Sequence, residues 1–155
     1  MGRDDNMILL ISICKEKLHE LEFVKPIRDM LESNNINCYV KHYAKVSKGD
    51  LANCEKIIIC GTSLDDSYYL ENLEKFEWLK EINKSVFGIC GGMQIIGLVY
   101  GGKIKEGVEI GYFNERFNKE FLGFKEGKVY HLHNNYVEMG EEDFEMISKK
   151  KIIQA

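Results

Sequence analysis

Between Val86 and Gly97 the chain reads VFGICGGMQIIG: an apolar run, a cysteine, two glycines, and then residues in helical spacing. A thiol in that place has chemistry open to it. The unpaired N–H groups and positive dipole end of a following helix favour a thiolate at Cys90. Glycines at 88, 91 and 92 permit the tight turn that displays a nucleophile, and they let a substrate approach the backbone. The Gly91 N–H would point toward an oxyanion formed when Cys90 attacks a carbonyl. The plain alternative is a buried cysteine beside a small-residue turn that packs a helix on a sheet, and spacing alone does not choose between the two.

The other reactive side chains offer less. The five cysteines (Cys14, Cys38, Cys54, Cys60, Cys90) are odd in number and lack a CxxC or Cys/His metal spacing. Cys14, Cys38 and Cys60 lie in or beside apolar runs and read as buried free thiols. His19 and His42 read as surface residues. His131 and His133, two apart on a strand, share one of its faces and read as structural histidines. No set of His, Cys or carboxylates has ligand spacing, so neither a metal nor another cofactor is expected. Asp65-Asp66, after Gly61, reads first as part of a solvated loop and second as a pair that fixes the turn there, and Tyr68, Tyr69 and Trp78 read as core or partner-facing aromatics.

The elements that must position Cys90 follow an α/β order. Met7 to Cys14, Ile36 to Tyr43, Lys56 to Cys60 and Val86 to Cys90 are short β-rich runs. Three of them are nearly all apolar, the pattern of strands covered on both faces. His19 to Asn34 carries Leu21, Val24, Ile27, Met30 and Leu31 at helical spacing, with Pro26 marking a start or a kink. Leu70 to Ile82 and Gly92 to Tyr100 are further helical patterns, the latter stopped by Gly101-Gly102. After Gly102 the chain breaks into short aromatic-rich pieces with glycine turns. The expected fold is a flavodoxin-like, doubly wound, mostly parallel sheet with helices on both faces, plus a smaller antiparallel strand region in the C-terminal third. Ligands of such sheets bind beyond the carboxyl ends of the strands, where Cys90 is placed.

At 155 residues, with 45% hydrophobic and 30% charged side chains, residues 1–155 read as one globular domain. The net charge of −4, without a dense basic cluster, gives no reason to expect nucleic acid as a partner. Lys149-Lys150-Lys151 reads as a solvated turn. No apolar segment reaches the roughly 18–20 residues of a membrane span. MGRDDN does not read as a signal peptide, so the expected location is cytoplasmic and no membrane partner is expected. There is no GxxxxGK[ST] loop for a nucleotide.

GICGGMQ, Gly88 to Gln94, resembles the nucleophile elbow of the class I (triad) glutamine amidotransferases, G-x-C-x-G-x-Q. IIICGTSLDD resembles the family's oxyanion loop, with Gly61 in the donor position and Thr62 and Ser63 where many members have glycine and proline. HNNYV, His133 to Val137, resembles the segment lining the glutamine pocket, and DFEMISKKKIIQA the strand pair after it. The likeness runs from Met7 to Ala155 and is nearest to the amidotransferase part of the enzymes that aminate purine nucleotides. It implies Cys90 as nucleophile, Gly61 and Gly91 as oxyanion donors, and Gln94, His133, Asn134 and Asn135 as contacts to the substrate. It further implies that L-glutamine is hydrolysed to glutamate through a glutamyl thioester, with ammonia passed to a synthase partner.

One part of the family pattern has no counterpart. The base is a histidine in an H-P-E segment, and this chain has a single proline, Pro26. Three readings stay open: that a longer natural protein supplies the pair beyond Ala155, that the chain is a catalytically inactive binding or regulatory relative, or that His133 serves as base. The γ-glutamyl hydrolases and related intracellular cysteine peptidases share a cysteine elbow on a similar sheet and form a rival class. Gln94 favours the amidotransferases.

Overall fold

The computed structural model describes residues 6–140, 142–145 and 147. Four short strands, β1 (Ile8–Ser12), β2 (Cys38–His42), β3 (Lys56–Ile59) and β4 (Ser85–Gly88), form a parallel sheet in the order β2-β1-β3-β4. The register places Leu10 beside both Val40 and Ile58, and Ile58 beside Phe87. This is the flavodoxin-like, doubly wound order expected from the sequence. Successive strand residues point to opposite faces, and both faces are covered. Leu9, Ile11, Ile57 and Ile59 meet Tyr43, Phe76, Leu79, Ile95 and Val99 on one side. Leu10 and Cys60 meet Val24 and Leu31 on the other. Near-continuous apolar strands are what burial on both faces requires.

The first connection shows how local chemistry decides the helices. Pro26 stands in the first turn of α2 (Lys25–Ser33), where its missing N–H costs nothing, and a separate short turn, α1 (Glu20–Phe23), precedes it. Of the expected apolar stripe, Val24, Ile27 and Leu31 face the sheet, whereas Leu21 and Met30 are exposed. Asn35 ends the segment at φ +58, a conformation asparagine tolerates. A helix not expected from the sequence, α3 (Lys48–Asn53), is nucleated by a capping box between Ser47 and Asp50. The Lys84 ammonium donates to the carbonyls of Leu51, Ala52 and Cys54 at its far end.

Two elements differ from the sequence reading. Residues Tyr68–Lys80 form a 3-10 winding rather than an α-helix, with a non-helical Asn72 inside. The Asn72 side-chain amide donates to the Tyr68 carbonyl, competing with the backbone for it. The short pieces after Gly102 join into one long antiparallel hairpin, β5 (Lys103–Phe121) and β6 (Phe124–Glu138). Its turn is Leu122-Gly123, both at positive φ, which suits the right-handed twist of a two-residue hairpin. KIIQA and Lys149–Lys151 lie outside the described residues. Among the described residues no helix is long and apolar enough to cross a membrane.

Among the described glycines, the least room for a side chain is where α4 (Gly91–Val99) meets β3. A Cβ placed on Gly92 would lie 2.1 Å from the Ile59 carbonyl oxygen. The obstacle is backbone and cannot step aside. Gly92→Ala is therefore expected to lower the unfolding free energy by about 1–3 kcal/mol or more, read from urea denaturation. Gly49→Ala, inside α3 with only ordinary contacts, should leave it unchanged or raise it by roughly 0.4–1 kcal/mol.

Candidate active site

Cys90 occupies the sharp bend between β4 and α4 with φ +50 and ψ −108. A non-glycine residue held there is strained, at about 1–3 kcal/mol, and persists only where its surroundings dictate it. They do so here. The Ile89 N–H donates to the Ile59 carbonyl at 2.9 Å, which continues the β3–β4 pairing to the residue before the bend. The Gly92 N–H then donates to the Ile89 carbonyl at 2.9 Å, and the Gln94 N–H to the Cys90 carbonyl at 3.1 Å, starting the helix without delay. Gly88 lies against the Gly92 and Met93 backbone, leaving no room for a side chain.

The Cys90 thiol donates to the Leu132 carbonyl on β6 at 3.5 Å. Burial pushes its pKa above the ordinary thiol value, and the Gly91 N–H draws it down by less. The sequence expectation that the helix end favours thiolate is thus outweighed. The amide helps, but the thiol sits in a largely apolar wall and, among the described residues, no Lys or Arg lines its cavity.

Beside the thiol runs the loop after β3. A Cβ built on Gly61 would stand 3.4 Å from Cys90 Cβ, so the Gly61 backbone borders Cys90 directly. Asp66, buried rather than solvated as the sequence suggested, organises this loop. It accepts from the Thr62 hydroxyl at 2.7 Å and from the Lys15 N–H at 2.7 Å through Oδ2, and from the Tyr68 N–H at 3.2 Å through Oδ1. Asp65 is exposed. A buried carboxylate with three donors is a strong, rigid fixture.

On the far side, Gln94 is 4% exposed and braces three elements. Its Oε1 accepts from the Tyr69 hydroxyl at 2.8 Å, and its Nε2 donates to the Asn135 carbonyl at 3.0 Å. Asn134 Nδ2 reaches the Leu64 carbonyl at 3.5 Å, tying β6 to the Gly61 loop. Gly61, Cys90, Gln94, His133 and Asn135 line one cavity of about 280 Å³, and Gly91 and Asn134 border a smaller pocket adjoining it. All seven residues singled out in the sequence are brought together. Tyr69 and Asp66, which sequence reasoning assigned to packing or solvent, belong with them. The signal for Tyr69 lay in its pairing with Gln94, invisible without the fold.

His131 and His133 line the same cavity, but each turns to a carboxylate. His131 Nδ1 is 2.9 Å from Glu109 Oε2 and its Nε2 is 3.3 Å from Glu115 Oε1, while His133 Nε2 is 3.2 Å from Glu109 Oε2. Among the described residues no imidazole hydrogen-bonds Cys90 Sγ. His42, expected at the surface, is half-buried: its Nε2 contacts the Cys14 carbonyl and its Nδ1 accepts from the Ala44 N–H.

Residues 19–154 match the family profile "Glutamine amidotransferase class-I". Over 85 residues the chain is 29% identical to GMP synthase [glutamine-hydrolyzing] of Dictyostelium discoideum, a match spanning 53% of this chain and 12% of that protein. The crystal structure of a GMP synthase subunit from Thermoplasma acidophilum superposes with a TM-score of 0.80 at 16% identity, over 99% of this chain and 77% of that one. A glutamine amidotransferase of Thermotoga maritima gives 0.62 at 21% identity, over 87% and 63%.

The raised Cys90 pKa has a direct consequence. A raised value means less thiolate at neutral pH, so alkylation of the Cys90 peptide by iodoacetamide, followed by mass spectrometry, is expected to inflect above the ordinary thiol range of about 8.5. An inflection below that range would show that the helix end prevails over burial.

Proposed function

Since this chain belongs to the class I glutamine amidotransferase family, we propose that it binds L-glutamine in the Cys90 cavity and uses that thiol to release ammonia. Supporting this most directly is the strained Cys90 bend, with the Gly61 and Gly91 backbones on either side of the thiol and the Gln94–Asn135 brace closing the pocket.

In the reaction, the Cys90 sulfur attacks the side-chain carbonyl carbon of glutamine. The Gly61 and Gly91 N–H groups stabilise the oxyanion, and preorganised donors of this kind are worth about 2.7–4 kcal/mol each in acyl transfer. The C–N bond breaks, a proton goes to the departing nitrogen, and a glutamyl thioester remains. Water then attacks the thioester, releasing glutamate and restoring the thiol. The protein around Cys90 supplies the nucleophile, the oxyanion site and the pocket. Proton transfer falls to the family's His–Glu pair, for which these 155 residues hold no H-P-E, and His133 is turned to Glu109 rather than to the thiol. The destination of the ammonia is a synthase that aminates a purine nucleotide, in keeping with the GMP synthase likeness, and the setting is the cytoplasm.

An electrophilic glutamine analogue such as a diazo-ketone tests this reading. Intact mass should show one adduct, mapping to Cys90, prevented by excess glutamine and absent from Cys90→Ser. Steady-state glutamine hydrolysis by the chain alone should run about 10²–10⁴-fold below that of a form provided with the His–Glu pair. An adduct elsewhere, or one that glutamine does not prevent, would overturn the proposal.

A further inference from the structure

Where β5 and β6 approach the cavity, three side chains converge: Glu109 and His131, to which the amidotransferase reading gives no role, and His133, which it gives only as a contact to the substrate. His131 and His133 project from the same face of β6, and Glu109 stands directly opposite His133 on β5. Gly111 stands directly opposite His131 in the register. Both histidines are buried, at 5% and 8% exposure. One ligand atom from each of Glu109, His131 and His133 falls within a cluster no wider than 4.8 Å.

The geometry points to a divalent-metal site made by His131 Nδ1, His133 Nε2 and a Glu109 carboxylate oxygen, suited to Zn²⁺ or a similar borderline first-row cation. Two imidazole nitrogens and one carboxylate are a donor set such ions take, with a fourth position left for water or another ligand. Atoms each about 2.0–2.2 Å from a tetrahedral ion lie about 3.3 Å from one another. Here the two nitrogens lie 2.9 and 3.2 Å from the same Glu109 oxygen, close to that spacing, and all three atoms lie within 4.8 Å of one another, so the rings need only draw together to close on an ion.

A second observation points the same way. Metal-binding imidazoles usually have their other nitrogen held by a carboxylate, which fixes the tautomer and the ring. His131 has a carboxylate on that side: Nε2 lies 3.3 Å from Oε1 of the buried Glu115 in an ion-pair contact, while Nδ1 faces the cluster. Phe113 stacks on the same ring at 4.7 Å between centroids, 20° from parallel, and holds its plane. His133 Nδ1 is buried and, among the described residues, has no hydrogen-bond partner, while its Nε2 is engaged with the cluster.

A cation there would cross-link β5 to β6 on either side of Leu132, whose carbonyl receives the Cys90 thiol. It would fix the wall of the cavity from the strand side, as Asp66 fixes it from the loop side. The site depends on the hairpin geometry alone and stands whether or not Cys90 turns over glutamine.

The test is calorimetric titration of the chelator-treated 155-residue chain with Zn²⁺, repeated with Co²⁺ under visible absorption. One equivalent should bind with a Kd of about 1 μM or tighter, giving Co²⁺ bands without a thiolate charge-transfer feature. His131→Ala and Glu109→Gln should each abolish stoichiometric binding, with far-ultraviolet circular dichroism confirming that the variants are folded. Glu115→Gln, which leaves all three ligands in place, should weaken binding by about 10–100-fold. Absence of binding to the unaltered chain overturns the proposal. So does retention of binding in both folded ligand variants, or a thiolate band that assigns the metal to cysteine. If one ligand variant fails to fold, the other decides.

Discussion

The active-site geometry depends on how closely α4 is seated against the end of β3. Gly92 lies against the Ile59 carbonyl with no space for a methyl group, and Gly88 lies equally close to the first turn of the helix. Because the helix cannot move outward without losing that packing, the residue joining strand to helix has to absorb the change of direction. That residue is Cys90, at φ +50. The strain is local, but the apolar sheet beneath sustains it: Ile59 and Ile95 are wholly buried in the same cluster.

Around this bend the protein places backbone rather than charge. The Gly61 loop borders the thiol and is itself fixed through Asp66. Gln94 joins Tyr69 to Asn135, so the helix, the 3-10 winding and the hairpin share one hydrogen-bonded brace. Burial pushes the Cys90 thiol up, and the Gly91 N–H draws it down by less. Among the described residues the histidines nearest to it are committed to Glu109 and Glu115.

Most of the sheet was legible in the sequence because doubly covered strands must be apolar almost throughout, and MILLISIC, KIIIC and VFGIC are. The bend was legible through the likeness of GICGGMQ to the G-x-C-x-G-x-Q elbow, since the glycine spacing alone also suits a plain packing turn. What escaped depended on partners distant in sequence. Asp66 looks like half of an acidic pair until Lys15 and Thr62 are seen to reach it. Glu109 is one of many glutamates on a strand, and only the register opposite His133 gives it meaning. The helix α3 is a different kind of miss: its Ser47–Asp50 cap was a local signal, overlooked because six residues carry little periodicity. Leu122-Gly123 hid the length of the hairpin, since a leucine at positive φ is not what a turn ordinarily displays.

The most direct measurement of the central claim is equilibrium binding to Cys90→Ser, in which the cavity is kept and the attacking sulfur is removed. Calorimetry is expected to show one equivalent of L-glutamine bound, with L-glutamate and L-asparagine bound more weakly, since the proposed reaction requires a pocket that selects a neutral amide at one chain length. No binding of glutamine, or equal binding of all three, would contradict the account.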